Sequence, residues 1–308
     1  MTTLLITHPA CIDHDPGPDH PEAPARLKAI LSALEGEAFA ALERREAPLA
    51  ERAQIERVHD PAYVQAVLDA IPRSGRVGLD PDTIVSPGSG EAALRAAGAI
   101  CGAVDAVVAG EASNAFCAVR PPGHHAGPRR AMGFCLFNNV AIGALHARAG
   151  HGLSRVAVVD FDVHHGNGTQ HAFEADGDLF FASTHQFPFY PVSGAAAEVG
   201  LGNIVNAPLE AGSGGVEFRA AMSDKILPAL RAFGPDMLLI SAGFDGHADD
   251  PLAALNFIEA DYEWATAELA ALADDCCGGR LVSTLEGGYD LAALGRSAAA
   301  HVRALMAA

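Results

Sequence analysis

Four short apolar runs, each followed at once by a burst of histidine, aspartate, arginine or glycine, constrain this chain more than any other feature. Phe116–Val119 runs into Arg120-Pro121-Pro122-Gly123-His124-His125, and Val156–Val159 into Asp160-Phe161-Asp162-Val163-His164-His165-Gly166-Asn167. Met237–Ser241 runs into Ala242-Gly243-Phe244-Asp245, and Leu281–Thr284 into Leu285-Glu286-Gly287-Gly288-Tyr289. With Leu4–Ile6 and Leu179–Ala182, these runs have the length and β-branched content of buried strands. Helix signals lie between them: Asp60-Pro61 opens one helix, Ser89 opens one that stops at Gly110, and Asn138 or Asn139 opens one that stops at Gly150. Strands alternating with helices predict an α/β fold with a mostly parallel sheet covered on both faces. In open sheets of this kind ligands sit beyond the carboxyl ends of the strands, where all four bursts fall. No linker, repeat or charge block divides the 308 residues, so one domain over 1–308 is expected.

Composition removes several functions. Against 38 acidic residues stand 20 basic ones, a formal charge of −18 that repels phosphate backbones and predicts no nucleic-acid partner. No stretch offers about 18 uninterrupted apolar residues, so no membrane span is predicted. The six cysteines form no CxxC pair, which fits reduced thiols and a cytoplasmic setting. Association into a homo-oligomer stays open.

Asp160, Asp162 and His164 alternate, and a chain that stayed extended past Val159 would point all three to one side. Two of them can grip one ion, with Asp245 from another strand end as the natural third ligand. Carboxylate and imidazole ligands with one position open to water are the pattern of a catalytic zinc site. The neighbouring rings of His124 and His125 diverge, which suits proton transfer better than joint metal binding. Asp160 and Asn167 are candidates to fix their tautomers. Tyr289, after two glycines, could donate to a developing oxyanion.

These segments come in a familiar order. With His20-Pro-Glu-x-Pro-x-Arg26 and Gly-Phe-Cys-x-Phe-Asn-Asn (133–139), the chain resembles the histone deacetylase family, class II type, in the bacterial branch that also holds acetylpolyamine amidohydrolases. The resemblance implies the arginase–deacetylase fold, a single domain around an eight-stranded mostly parallel sheet, and zinc-dependent hydrolysis of an N-acyl amide. It implies Asp162, His164 and Asp245 as ligands of one Zn2+, or of ferrous iron, which the ligand types also permit. His125 becomes general base and then acid, held by Asn167; His124 becomes its electrostatic helper, oriented by Asp160; Tyr289 becomes the oxyanion donor. Asn167, where other relatives carry aspartate, marks the class II type. Phe134 and Tyr190 would wall an aromatic slot with Gly133 and Leu252 beside it, and Arg26 would line an inner cavity for acetate release. A K+ ion would sit on carbonyls of Asp160, Asp162 and His164 near Ser183 and Thr184.

Substrate is read from fewer residues. Polyamine-specific relatives place a glutamate after the Asp-Pro that follows the third ligand, and Asp250-Pro251 is followed here by Leu252. An acylated lysine is therefore expected ahead of an acetylated polyamine. Asp80, Asp82, Asp249 and Asp250 are read chiefly as solvated loop acids, with pairing to a cationic substrate at the rim as the lesser expectation. An arginase-like dinuclear manganese enzyme lacks support in the tandem histidines and Glu-Gly-Gly-Tyr. A silent acyl-group binder would be expected to have lost one of these motifs.

Overall fold

Apolar runs without alternation need cover on both faces, and the computed structural model, which describes residues 2–308, supplies it. Eight strands form one sheet: β1 (Thr3–Thr7), β2 (Glu43–Glu46), β3 (Asn114–Cys117), β4 (Val156–Asp160), β5 (Leu179–Gln186), β6 (Ile204–Leu209), β7 (Met237–Ala242) and β8 (Leu281–Leu285). Their order across the sheet is β2-β1-β3-β8-β7-β4-β5-β6, with every pair parallel. Strands β3, β4, β7 and β8 are buried along their whole length. They are also neighbours, so the four polar loops leave adjacent strands. At about 4.8 Å per strand, the loops start within roughly 15 Å of one another.

The main helices are α1 (Pro24–Ala33), α2 (Pro61–Asp69), α3 (Ser89–Val108), α4 (Asn139–His151), α5 (Glu259–Cys277) and α6 (Leu291–Ala307). Helices α3 and α4 pack on each other and on the sheet, while α1, α5 and α6 pack together as a second layer. One continuous apolar core runs from Leu4 to Leu305, with a satellite around Val64, Phe137 and Ile142. Helix starts follow their caps: the Asp60 carboxylate accepts from Ala62 N at 2.9 Å before Pro61, and Asn138 Oδ1 from Ala141 N at 3.0 Å.

Several sequence expectations need correction. Helix α4 runs through Gly150 and stops at Gly152, whose φ of 67° provides the left-handed cap and whose N–H donates to the Arg148 carbonyl. Strand β3 is shifted two residues earlier than the Phe116–Val119 run, because Asn114 pairs with Thr3 and Leu281 in the two flanking ladders while Cys117 is the last residue in the ladder; the Asn114 side chain donates to the Leu305 carbonyl at 2.8 Å. The edge strands β2 and β6 were not expected. Strand β2 is Glu-Arg-Arg-Glu and largely exposed, while β6 contains Pro208, which an edge tolerates because its missing N–H leaves no ladder bond unmade.

Candidate active site

After β3 the chain turns through Pro121 and Pro122, and the buried Glu286 at the end of β8 holds the next loop from behind. Its Oε2 accepts from Gly123 N at 2.6 Å and His124 N at 3.1 Å. Arg120 is also buried, tied to the Glu22 carboxylate at 2.5 and 2.7 Å and to the Cys11 carbonyl at 2.8 Å. The two histidine rings then face different partners. His124 Nδ1 lies 2.9 Å from Asp160 Oδ2, and His125 Nδ1 lies 2.8 Å from Asn167 Oδ1. Both expected pairings are therefore present.

Their electrostatics differ as sharply. Burial alone would lower the pKa of His124, but the Asp160 and Asp162 carboxylates outweigh it and raise the imidazole to about 10. Burial, joined by the positive charge of His124 and His164, drives His125 well below the ordinary histidine range. One ring of the pair is held charged and the other neutral.

The chain does not stay extended past β4. Strand β4 ends at Asp160, and each aspartate caps the amide two residues on: Asp160 Oδ1 accepts from Asp162 N at 3.0 Å, and Asp162 Oδ1 from His164 N at 2.8 Å. These turns bring Asp162 and His164 together, while Asp160 turns to His124. Asp245, at the end of β7, completes the group. His164 Nδ1 lies 3.1 Å from both Asp162 Oδ1 and Asp245 Oδ2, and all three side chains are buried.

The donor set fits a divalent cation. Burial pushes against charge on His164, yet the two carboxylates hold it up to about 10, so the position calls for positive charge. Bare backbone lets the carboxylates crowd together. A Cβ at Gly287 would lie 2.1 Å from Asp245 Oδ2 and 2.5 Å from Asp162 Oδ2, and one at Gly243 would lie 2.0 Å from Asp162 Oδ2. Gly287 N also donates to Asp162 Oδ2 at 2.8 Å.

Above this group opens a slot of about 100 Å³, whose lining includes His125, Phe134, Tyr190, Leu252 and Tyr289. Tyr190 stands edge-on to His125 at 5.2 Å, and Phe134 edge-on to Tyr289 at 5.9 Å. Gly133 has a φ of 55°, and a Cβ there would meet the His125 ring at 2.3 Å, so only glycine lets this loop lie against the histidine. Burial raises the Tyr289 phenol well above its ordinary value despite Arg26, so it keeps its proton. A larger depression of about 410 Å³ around Thr2, Gly110 and Arg280 contains no comparable group of catalytic side chains.

Other expected residues sit differently. Arg26 lies behind the slot, with its guanidinium 4.9 Å from the Tyr289 ring centre and its donors spent on the Glu286 and Gly288 carbonyls and on Glu22. Ser183 lies beside Asp160 in the ladder and bonds His185, while Thr184 Oγ1 is buried without a partner. Asp249 pairs with Arg296 at 3.0 Å, and Asp80 with Asp82 N and Arg130. Asp82 lines the mouth of the slot, with Oδ1 accepting from Gly133 N at 3.2 Å. Asp250 is neither solvated nor available at the rim. It is buried, and its carboxylate accepts from the amides of Tyr289, Asp290 and Leu252.

Glu22, Arg120 and Glu286 were missed as site residues, and Asp250 was expected at the rim rather than in the interior. The one available signal lay at Arg120 and Glu286, charges at the ends of apolar runs, where charge is rarely buried without a partner. A second group of metal-ligand type, Asp105, His146 and His151, spans α3 and α4 away from the slot. Among the described residues, no helix is long and apolar enough to cross a membrane.

Known proteins share this arrangement of the chain. A family model described as histone deacetylase domain matches residues 20–305. Histone deacetylase 14, chloroplastic, of Arabidopsis thaliana is 41% identical over 328 residues, covering 98% of this chain and 76% of that protein. The histone deacetylase-like amidohydrolase of Pseudomonas aeruginosa is 40% identical over 289 residues, covering 92% of this chain and 74% of that protein. The crystal structure of the HDA15 HD domain matches with a TM-score of 0.94 at 36% identity, covering 99% of this chain and 88% of that chain.

Proposed function

Because the chain belongs to the histone deacetylase family, matched over residues 20–305, we propose that it is a zinc-dependent amidohydrolase that removes acetyl or another small acyl group from acylated lysine side chains. The observation that carries this reading is the convergence, on one narrow slot, of a buried Asp-His-Asp group, a charged and a neutral histidine, and a protonated tyrosine.

Asp162, His164 and Asp245 would hold the ion. When bound, it supplies Lewis acidity toward the amide carbonyl and lowers the pKa of a water in the same site. His125 does the proton work. Its Nδ1–H donates to Asn167 Oδ1, which leaves Nε2 with a lone pair to take a proton from the attacking water. The same nitrogen then returns that proton to the departing amine. Asn167 is neutral, so it orients His125 without favouring the protonated ring, as expected for the class II type. His124, held by Asp160, keeps positive charge beside the developing negative charge, and Tyr289 donates its O–H to the tetrahedral oxyanion.

Phe134 and Tyr190 suit an aliphatic stem between aromatic faces, with Gly133 and Leu252 completing the slot. Leu252 offers no charge to a distal ammonium, and Asp250 is turned away to backbone amides, so a lysine side chain is favoured over an acetylated polyamine. The unpartnered Thr184 hydroxyl, one ladder position from Ser183 and Asp160, supports a K+ beside them as a structural ion.

The test is acetate release by the zinc-loaded protein from an acetyl-lysine peptide and from an acetylated polyamine at equal concentration. Preference for the peptide is expected. Preference for the polyamine would transfer specificity to Asp82 at the mouth, and no release from either, with one ion bound, would overturn the deacetylase reading for acetyl groups.

A further inference from the structure

Asp250 serves two walls of the slot at once. Its Oδ2 accepts from Tyr289 N at 2.6 Å and Asp290 N at 3.2 Å, and its Oδ1 accepts from Leu252 N at 3.0 Å. The residue is 7% exposed, so the carboxylate is largely withdrawn from water, a cost that charge-assisted N–H donors offset. A carboxylate is suited to this geometry because both oxygens only accept, and together they can serve three donors.

The segment it holds needs an anchor. Gly287 and Gly288 precede Tyr289 and bring no side chain to hold the segment, and Gly288 has a φ of 122°, which favours glycine. Upstream, Arg26 grips the Glu286 and Gly288 carbonyls, and Asp162 receives Gly287 N. Downstream, the Asp290 carboxylate accepts from Ala293 N at 2.8 Å and opens α6. Between these points the backbone of Tyr289 is pinned by Asp250.

We propose that Asp250 is the positioning residue that sets the Tyr289 phenol and the Leu252 wall as one unit, coupling oxyanion stabilisation to the width of the acyl slot. This rests on the reading of Tyr289 as the oxyanion donor. The carboxylate is not among the residues that line the slot and faces backbone amides. It acts by fixing where a hydroxyl and a side-chain wall stand relative to the Asp162, His164 and Asp245 group.

The test combines a kinetic cycle with amide exchange. Asp250→Asn and Asp250→Ala are each made alone and with Tyr289→Phe, and kcat, KM and zinc content are measured with an acetyl-lysine peptide. Alone, each is expected to lower kcat about 10- to 100-fold, as for a displaced catalytic group, with one zinc still bound. In the Tyr289→Phe background the further loss is expected to stay under about threefold, because the positioned group is already gone. An equal loss in both backgrounds, or full kcat in the single variants, would overturn the proposal. Hydrogen exchange at the amides of Leu252, Tyr289 and Asp290 provides a readout independent of turnover: Asp250→Asn keeps one acceptor oxygen, so exchange is expected to accelerate by at least about tenfold on one side, and in Asp250→Ala on both. If Asp250→Ala does not fold, Asp250→Asn, equal in size, decides alone. A wild-type protein that releases no acetate would sink the deacetylase reading, whereas unchanged exchange at all three amides, 252, 289 and 290, would sink the anchor itself.

Discussion

Asp162, His164 and Asp245 at the sheet's carboxyl end, and Asp105, His146 and His151 between α3 and α4, are built from the same two residue types and behave differently. In the first group the His164 nitrogen stands 3.1 Å from each carboxylate oxygen, all three side chains are buried, and two carboxylates compete for one imidazole. In the second, one Asp105 oxygen lies 2.6 Å from the Nε2 atoms of both histidines, an ordinary hydrogen-bond length, and Asp105 is exposed. Arg57 then decides the matter. It can only donate, and it lies 2.9 Å from His146 Nδ1, so that nitrogen accepts and Nε2 carries the hydrogen given to Asp105. A metal-bound histidine normally donates from its outer nitrogen instead. The first group therefore has an excess of buried carboxylate around one imidazole, whereas in the second the outer nitrogen of His146 accepts from Arg57 and an exposed Asp105 takes ordinary hydrogen bonds.

The sharpest way to break this contrast is to remove one member from each group. His164→Ala is expected to abolish stoichiometric zinc binding and lower turnover by about 10³-fold or more, the equivalent of several kcal/mol of lost Lewis-acid stabilisation. Elemental analysis and acetate release check both halves. Next in size, Tyr289→Phe should lower kcat by about 10²-fold or more with zinc retained, and near-normal turnover would remove Tyr289 from the mechanism.

A third environment sharpens the comparison through pH. His301 is buried between Thr266 Oγ1 at 2.6 Å and Ser283 Oγ at 2.8 Å, and burial lowers its pKa to about 3. The folded state therefore binds fewer protons than the unfolded chain between the ordinary 6.5 and about 3. Its contribution is complete above pH 6.5 and is lost as pH falls toward 3, at up to about 1.4 kcal/mol per unit. Denaturant titrations across this range should show His301→Gln with a correspondingly flatter acid slope, and an unchanged slope would contradict the assignment. The smallest effect is expected at the surface group: His151→Ala should leave zinc content at one and turnover intact, and shift stability by less than about 1 kcal/mol. A drop from two bound ions to one would erase the distinction between the groups.

Much of this is legible in the sequence. The buried strands announced themselves as apolar runs, and because their polar successors leave four adjacent strands, spacing along the chain translated into proximity in space. Asp160, Asp162, His164 and Asp245 were found this way, although the capping turns that gather them were not foreseen. Residues whose partners are backbone amides left no such trace. Nothing in the spacing of Asp250 from Tyr289, or of Glu286 from Gly123, marks an acid as the support of a distant loop, since an amide donor is available at almost every residue. The edge strands escaped for the opposite reason: β2 is held by its ladder to β1 and by Arg45 ion pairs with Glu43 and Glu111, none of which has an apolar signature.

Those edges bear on how copies of the chain can meet. An open sheet offers unpaired amides and carbonyls along its outer strands, a template on which a second molecule can continue the ladder. Here one border is a run of charged side chains and the other is interrupted at Pro208, so lateral growth of the sheet is discouraged on both sides. Self-association is therefore steered away from the sheet borders and toward the helical layers or the loops.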